Sequence, residues 1–138
     1  MELYIVDDNP DHQFLAYKLI KALDKPYKVT FFESGRSLHK HMLQLSRSGL
    51  DEGFPNLVVL DLNMPGMNGI DLLRLLRQPP LGTCAPIINM PIVIMSNDIS
   101  ALQIDQCYQA GANAVILKPL NFEVLASTFK AMCKFWIG

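Results

Sequence analysis

Five short apolar runs recur along the chain, and segments with helical periodicity separate them. The runs are "LYIV" (3–6), "KVTFF" (28–32), "LVVL" (57–60), "IVIM" (92–95) and "AVIL" (114–117). They are rich in β-branched residues and mostly lack alternation, the mark of parallel strands covered on both faces. Helix signals follow each run. Asn9 suits an N-cap and Pro10 a first helical turn ahead of "DHQFLAYKLIKAL". Ser34 precedes Leu38, Met42 and Leu45 at i, i+4 and i+7, with a stop near Gly49. "GIDLLRLLR" follows the third run, and "DISALQIDQCYQAGA" follows the fourth and ends on Gly111. The last helix starts near Asn121 and sets Val124, Leu125, Thr128, Phe129, Met132 and Phe135 on one stripe. Strand alternating with helix five times predicts an α/β fold, a single doubly wound domain over 1–138 with a five-stranded parallel sheet and helices on both faces. Right-handed crossovers leave few topologies open to it.

One segment breaks the pattern. "QPPLGTCAPIINMP" (78–91) holds four prolines and no clear period, and it is longer than an ordinary helix-to-strand connection. It reads as a surface excursion, with a partner-docking lobe as the alternative.

Composition excludes more than it assigns. A chain of 138 residues buries enough surface for a core without disulfide or metal staples. Charged residues make up 18% and the net charge is -1, so no basic field points to nucleic acid. No apolar run approaches the ~20 residues needed to cross a bilayer. The acidic start "MELYIVDDNP" is unlike a signal peptide, and the expectation is a cytoplasmic protein with no membrane partner. Cys84, Cys107 and Cys133 are odd in number and far apart, so they read as reduced thiols with packing roles. His12, His39 and His41 form no metal set with them; His39 and His41 read as a solvated pair.

The chemistry gathers where the strands stop. In a parallel α/β sheet ligands collect at the carboxyl ends of the strands. Asp7 and Asp8 follow the first run, Asp61 the third, Ser96 and Asn97 the fourth, and Lys118 the fifth. Singly, each has a plain structural role as cap, turn residue or surface charge. Together they place three carboxylates, a hydroxyl and an ammonium at one sheet edge. Two carboxylates ~4 Å apart repel by roughly 4 kcal/mol at an effective dielectric of 20. A small divalent cation relieves that strain, and Mg²⁺, with its oxygen ligands, suits the set. A carboxylate beside such a cation can act as a nucleophile toward phosphorus, with lysine and hydroxyl receiving the incoming charge. The loop after Asp61, with Pro65, Gly66 and Gly69, bends away and leaves room for the phosphoryl group.

"VDDN", "LDLNMPGMNG", "IMSN" and "LKP", in this order and spacing, are highly specific together. The chain resembles a response-regulator receiver domain of two-component signalling over essentially its whole length. The resemblance implies a flavodoxin-like sheet of order 2-1-3-4-5 and phosphorylation of Asp61 by a histidine kinase or phosphotransfer protein. It implies that Asp8, Asp61 and the backbone carbonyl of Asn63 ligate Mg²⁺, with Asp7 reaching the ion through water. Ser96 and Lys118 would bond the phosphoryl oxygens, and the Lys118–Pro119 peptide would be cis. Such a receiver is a switch rather than an enzyme, its chemistry confined to its own Mg²⁺-dependent phosphorylation and dephosphorylation. One departure stands out. Receivers carry an aromatic residue three before the lysine, and here Val115 occupies that position. The usual coupling to the face of the fourth helix, fifth strand and fifth helix then runs through backbone shifts at Ser96–Ile99.

The chain stops soon after its last predicted helix, so the expected receiver is a stand-alone one whose output is contact with a downstream protein. Phe135, Trp136 and Ile137 crowd that end; Phe135 fits the buried stripe, while Trp136 and Ile137 are left partly exposed for a partner or a homodimer on that face, with plain packing as the alternative. Two other readings stay open. A Mg²⁺-dependent phosphohydrolase resembling haloacid dehalogenases would use the same residue types, although Leu62 and Asn63 follow Asp61 where that family needs D-x-D. A receiver-like module that binds without being phosphorylated is the other, against which the complete set of site residues argues.

Overall fold

The computed structural model describes residues 1–49 and 52–138. Strands β1 (Glu2–Val6), β2 (Lys28–Phe32), β3 (Leu57–Asp61), β4 (Ile92–Ser96) and β5 (Ala114–Leu117) alternate with helices α1 (Pro10–Lys21), α2 (Gly35–Arg47), α3 (Gly69–Arg77), α4 (Ala85–Ile88), α5 (Ala101–Ala110) and α6 (Phe122–Trp136). The sheet is parallel throughout, in the order β2-β1-β3-β4-β5. Fold class and strand order are those expected from the sequence.

The caps explain where the helices begin. Asn9 accepts from the backbone N–H groups of Asp11 and His12, Ser34 from Ser37, Asn68 from Asp71 and Asn121 from Val124. Ser100 and Gln103 form a reciprocal capping box at α5. That helix ends at Gly111, whose φ of 108° a side chain would strain.

Period-two alternation along the strands builds two cores. Tyr4, Val6, Val58, Leu60, Ile92 and Ile94 face α2, α3 and α5. Leu3, Ile5, Leu57, Val59, Val93 and Met95 face α1 and α6. The three central strands are buried along both faces, as expected, but the edge strands β2 and β5 are only half-buried. With one neighbouring strand each, they present a flank to solvent.

Several expectations need correction. Phe135 is 77% exposed, whereas Trp136 and Ile137 pack into the α1–α6 core. The buried stripe of α6 runs Leu125, Phe129, Met132, Cys133 and Trp136; Val124, Thr128 and Phe135 lie on its flank. His41 is not a solvated histidine: its Nε2 is 2.9 Å from the Tyr4 hydroxyl and its ring packs against Tyr4 and Phe32. The Lys118–Pro119 peptide is trans, and among the described residues only Pro79–Pro80 is cis. Lys118 still donates its N–H to Ser96 at 2.7 Å, so the chain leaves the ladder extended and reaches the Asn121 cap in the isomer X–Pro ordinarily prefers.

The segment 78–91 is anchored rather than excursive. A 3₁₀ turn at Leu81–Thr83 and α4 bury Leu81, Ile87 and Met90 against α3. Arg77 holds it there. Its guanidinium donates to the carbonyls of Ile87 (2.7 Å), Met90 (2.9 Å) and Gly111 (3.1 Å) and to Asn113 Oδ1 (2.9 Å). Asn113 Oδ1 also accepts the Ile92 N–H, so one side chain fixes the entry to both β4 and β5. Arg77→Met should lower the unfolding free energy by roughly 2–4 kcal/mol, since charged hydrogen bonds are lost and carbonyls are left unpaired. Arg77→Lys should recover little, because an ammonium lacks the planar fork. Urea denaturation of the three proteins checks this.

Candidate functional site

β1, β3, β4 and β5 each deliver one element of the site at their carboxyl ends. Asp7 follows β1 and is nearly buried; its Oδ1 accepts the Asn9 N–H at 2.9 Å, which ties the acid to the start of α1. Asp7 Oδ2 lies 3.5 Å from Lys118 Nζ and 3.4 Å from His12 Nδ1. Asp8 is exposed and Asp61, the last residue of β3, is half-buried. Carboxylate oxygens of Asp7, Asp8 and Asp61 lie within 4.8 Å of one another. The expected acids therefore converge, and Lys118 joins them.

The electrostatics follow. Burial and the neighbouring Asp7 charge, with a smaller push from Asp8, raise the Asp61 pKa to about 6. The Asn63 N–H, 3.2 Å from Asp61 Oδ1, and the Lys118 ammonium oppose that rise. Burial first, and the crowding of acids second, disfavour the Asp61 anion by more than Lys118 and the Asn63 N–H favour it. A hard divalent cation fits this donor set, because it would neutralise charges the protein alone leaves repelling.

Ser96 is fully buried, and its hydroxyl is engaged on every side. It donates to the Asp98 carbonyl at 2.9 Å, and accepts from Asn63 Nδ2 at 3.1 Å and from the Asp98 N–H at 3.3 Å. Ser96 thus stands beside the carboxylates but is bonded to the β4–α5 loop. The Asn63 side chain bridges that loop to the one after β3, a contact the sequence did not suggest.

An open cleft of about 440 Å³ lies over the acids, lined by Asp8, Asn9, Pro10, His12, Asp61, Asn63 and Asn97. Its floor depends on a close approach at Gly69. A Cβ there would lie 2.6 Å from the Asp61 carbonyl oxygen and 3.0 Å from Leu62 Cα, so only glycine lets α3 begin against the end of β3. Gly66, at φ 80°, makes the bend between them.

His12 is the site residue that the sequence reading missed. Its Nδ1 is buried beside the Asp7 carboxylate with no hydrogen-bond partner among the described residues, and its ring borders both the cleft and a small inner cavity of about 30 Å³ shared with Asp7, Asp61 and Lys118. The available signal was position: a residue in the first turn of α1 sits over the end of β1.

The model of the response regulator receiver domain family matches residues 3–130. The response regulator ARR15 of Arabidopsis thaliana is 36% identical over 116 residues, which are 80% of this chain and 54% of that protein. The chain therefore spans about half the length of that relative. A receiver domain from Rhodospirillum rubrum is 29% identical with a TM-score of 0.78, covering 98% of this chain and 92% of that one. The Mn²⁺-bound form of the response regulator Rcp1 has the same fold, with a TM-score of 0.80 at 20% identity over 99% of this chain and 94% of that one. By its four strand-end motifs, its strand order and this match, the chain belongs to the response regulator receiver domain family, the signalling domain of two-component systems.

Proposed function

We propose that this receiver is a phosphorylation-dependent switch in which Asp61 accepts a phosphoryl group from a histidine kinase or phosphotransfer protein. The observation that carries the reading is the convergence of Asp7, Asp8 and Asp61 within 4.8 Å, with Lys118 on Asp7. Asp8, Asp61 and the Asn63 carbonyl would hold Mg²⁺, with Asp7 acting through water; Rcp1, which shares the fold, is a Mn²⁺-bound protein in its crystal structure. The bound ion supplies neutralisation of the acids and of the incoming phosphoryl oxygens.

An ionised Asp61 oxygen attacks phosphorus, a P–O bond forms, and the P–N bond to the donor histidine breaks with its electron pair returning to the imidazole. Lys118 is placed to receive the new negative charge, at the cost of its present contact with Asp7. Ser96 would exchange its bond to the Asp98 carbonyl for one to a phosphoryl oxygen. That exchange frees the β4–α5 loop, and the signal leaves through α5, β5 and the outer flank of α6. Leu102, Leu117 and Phe135 are exposed on these elements, so this face is the one proposed for a downstream protein or a second copy. The reading is of a cytoplasmic switch rather than an enzyme acting on external substrates, and of one domain over 1–138.

Incubation with acetyl phosphate and Mg²⁺ should give stoichiometric, acid-stable and base-labile labelling that Asp61→Ala abolishes. Asp8→Asn should weaken Mg²⁺ affinity severalfold. Lys118→Ala should still be labelled while losing the change in partner contacts. Multiple turnover of an external phosphomonoester would instead make the protein a phosphohydrolase, and absence of labelling a binding module.

Stability offers a second check. The Asp61 pKa is raised in the folded state, from 3.8 to about 6, so between these values the folded protein binds more protons than the unfolded chain. Its contribution to stability therefore falls as pH rises through that window, and at neutral pH Asp61 destabilises the metal-free fold. Asp61→Asn should melt above the parent protein in metal-free buffer at pH 7, and the gap should close toward pH 4. Mg²⁺ should stabilise the parent far more than the variant. Calorimetry across the pH range, with and without Mg²⁺, reads all three effects.

A further inference from the structure

Asp7 is held by three fixed bonds, and they leave one of its oxygens able to change partners. Its N–H donates to the Phe32 carbonyl at 3.0 Å, its carbonyl accepts from Gln13 Nε2 at 2.6 Å, and its Oδ1 accepts from the Asn9 N–H at 2.9 Å. Oδ2 is held differently. Lys118 Nζ lies 3.5 Å from it and His12 Nδ1 lies 3.4 Å from it, so an ammonium and an imidazole flank the same oxygen. The Nδ1 atom is buried, although the His12 side chain as a whole is 36% exposed. The ring stands between the open cleft and the inner cavity, which Leu15, Ala16, Leu125 and Phe129 close with apolar surface. Besides His12, the polar side chains lining that cavity are Asp7, Asp61 and Lys118. An ammonium cannot accept a hydrogen bond, and Asp61 is the proposed phosphoacceptor. Asp7 Oδ2 is thus the acceptor left to a hydrogen on His12 Nδ1.

We propose that His12 is a positioning residue for phosphoryl transfer, its Nδ1–H taking Asp7 Oδ2 as Lys118 leaves that oxygen for the phosphoryl group. The inference rests on the reading of Asp61 as phosphoacceptor and adds a residue to it. Moving Lys118 away strips a nearly buried carboxylate of the cation beside it, and a buried acceptor left unpaired is costly. A closure of about 0.5 Å brings Nδ1 into the ordinary N–H···O range. The first turn of α1 already carries the ring to that place. The His12 N–H lies 3.3 Å from Asn9 Oδ1, and the N–H of the same Asn9 holds Asp7 Oδ1. Asp7 and His12 are therefore parts of one helix cap. The exchange makes and breaks no covalent bond, and it needs a hydrogen on Nδ1 rather than a charge on the ring.

The test uses the full chain with Mg²⁺ and beryllofluoride, a stable analogue of the phosphoryl group, beside labelling by acetyl phosphate. Heteronuclear NMR of the imidazole nitrogens should place hydrogen on His12 Nδ1. That N–H resonance should move downfield when beryllofluoride binds, as the bond to Asp7 forms. His12→Phe keeps a ring and removes the donor; it should weaken beryllofluoride binding about tenfold, the low end for a hydrogen bond to a charged group. His12→Asn, whose amide nitrogen stands where Nδ1 does, should stay within about threefold of the parent. In a Lys118→Ala background no ammonium leaves Asp7, so His12→Phe should change the affinity by less than about twofold. Circular dichroism of each variant should match the parent. Hydrogen on Nε2 with a bare Nδ1, equal affinity in parent and His12→Phe, an Asn variant as weak as the Phe variant, or effects of His12→Phe and Lys118→Ala that simply multiply would each overturn the proposal. A parent chain that takes neither label nor beryllofluoride would strike the switch, and this role with it. A parent that takes both, with His12→Phe indistinguishable from it, would strike the role of His12 alone.

Discussion

Three carboxylates held within 4.8 Å at the end of a sheet are the constraint on which the rest of the molecule depends. Unbalanced, they repel, and the rise of Asp61 toward a pKa of about 6 is the electrostatic record of that repulsion and of burial. Nothing local to one segment would keep them together. Asp7 is fixed because its backbone N–H continues the ladder to β2, at Phe32, and its carboxylate caps the turn into α1. Asp61 is fixed because β3 lies between β1 and β4 with both faces covered. The hydrophobic burial of the three central strands thus offsets a local charge conflict, one that a cation would relieve on the proposed reading.

The loop after Asp61 shows how closely backbone and chemistry are joined. Gly69 admits α3 against the Asp61 carbonyl, and Asn68 caps that helix. Met64 is buried, so the loop is pinned by its own side chain and does not swing free. Asn63, between these anchors, extends to Ser96 and the Asp98 carbonyl. The Ser96 hydroxyl is therefore fully satisfied within the two loops, and on the proposed reading a phosphoryl oxygen would have to replace one of these partners. Leaving that hydroxyl unpaired in a fully buried position would cost about 1–3 kcal/mol.

Much of this was legible because one signal repeated. Each buried run stopped at a polar residue, and four independent stops agree on one edge of the sheet. Three helix starts are equally readable, since Asn9, Ser34 and Asn121 cap by local hydrogen bonds that need no tertiary context. What escaped was set by distant parts of the chain. No sequence signal marks Arg77, whose partners lie far along the chain at Ile87, Met90, Gly111 and Asn113 and fold the proline-rich segment onto the core. His12 and His41 were read as bystanders because no spacing in the sequence links them to Asp7 or Tyr4. Phe135 falls outside because the buried face of α6 runs through Leu125, Phe129, Met132 and Cys133, with Trp136 partly buried beside them.

The alternation along the strands also decides which face responds. Asp7, Asp61 and Lys118 continue the odd or even positions of β1, β3 and β5 that face α1 and α6, and the inner cavity beside them is closed by Leu15, Ala16, Leu125 and Phe129. Ser96 continues Ile92 and Ile94, which face α3 and α5. A phosphoryl group on Asp61 would therefore be gripped from one side of the sheet by fixed charges and from the other by a hydroxyl that belongs to the α5 side. Both grips lead into helices, Asp7 through the Asn9 cap of α1 and Ser96 through Asp98 to the Ser100 cap of α5. With Val115 in place of a ring, the link from α5 to β5 is the Tyr108 hydroxyl accepting the Val115 N–H at 3.2 Å, on an edge strand with no other neighbour on that flank. On the proposed reading, a shift of α5 would reach β5 through this hydrogen bond and the packing of Val115 beside Cys107, with no ring to move into the core. The α1–α6 side holds an exchangeable contact of its own, between Lys118 and Asp7 at 3.5 Å.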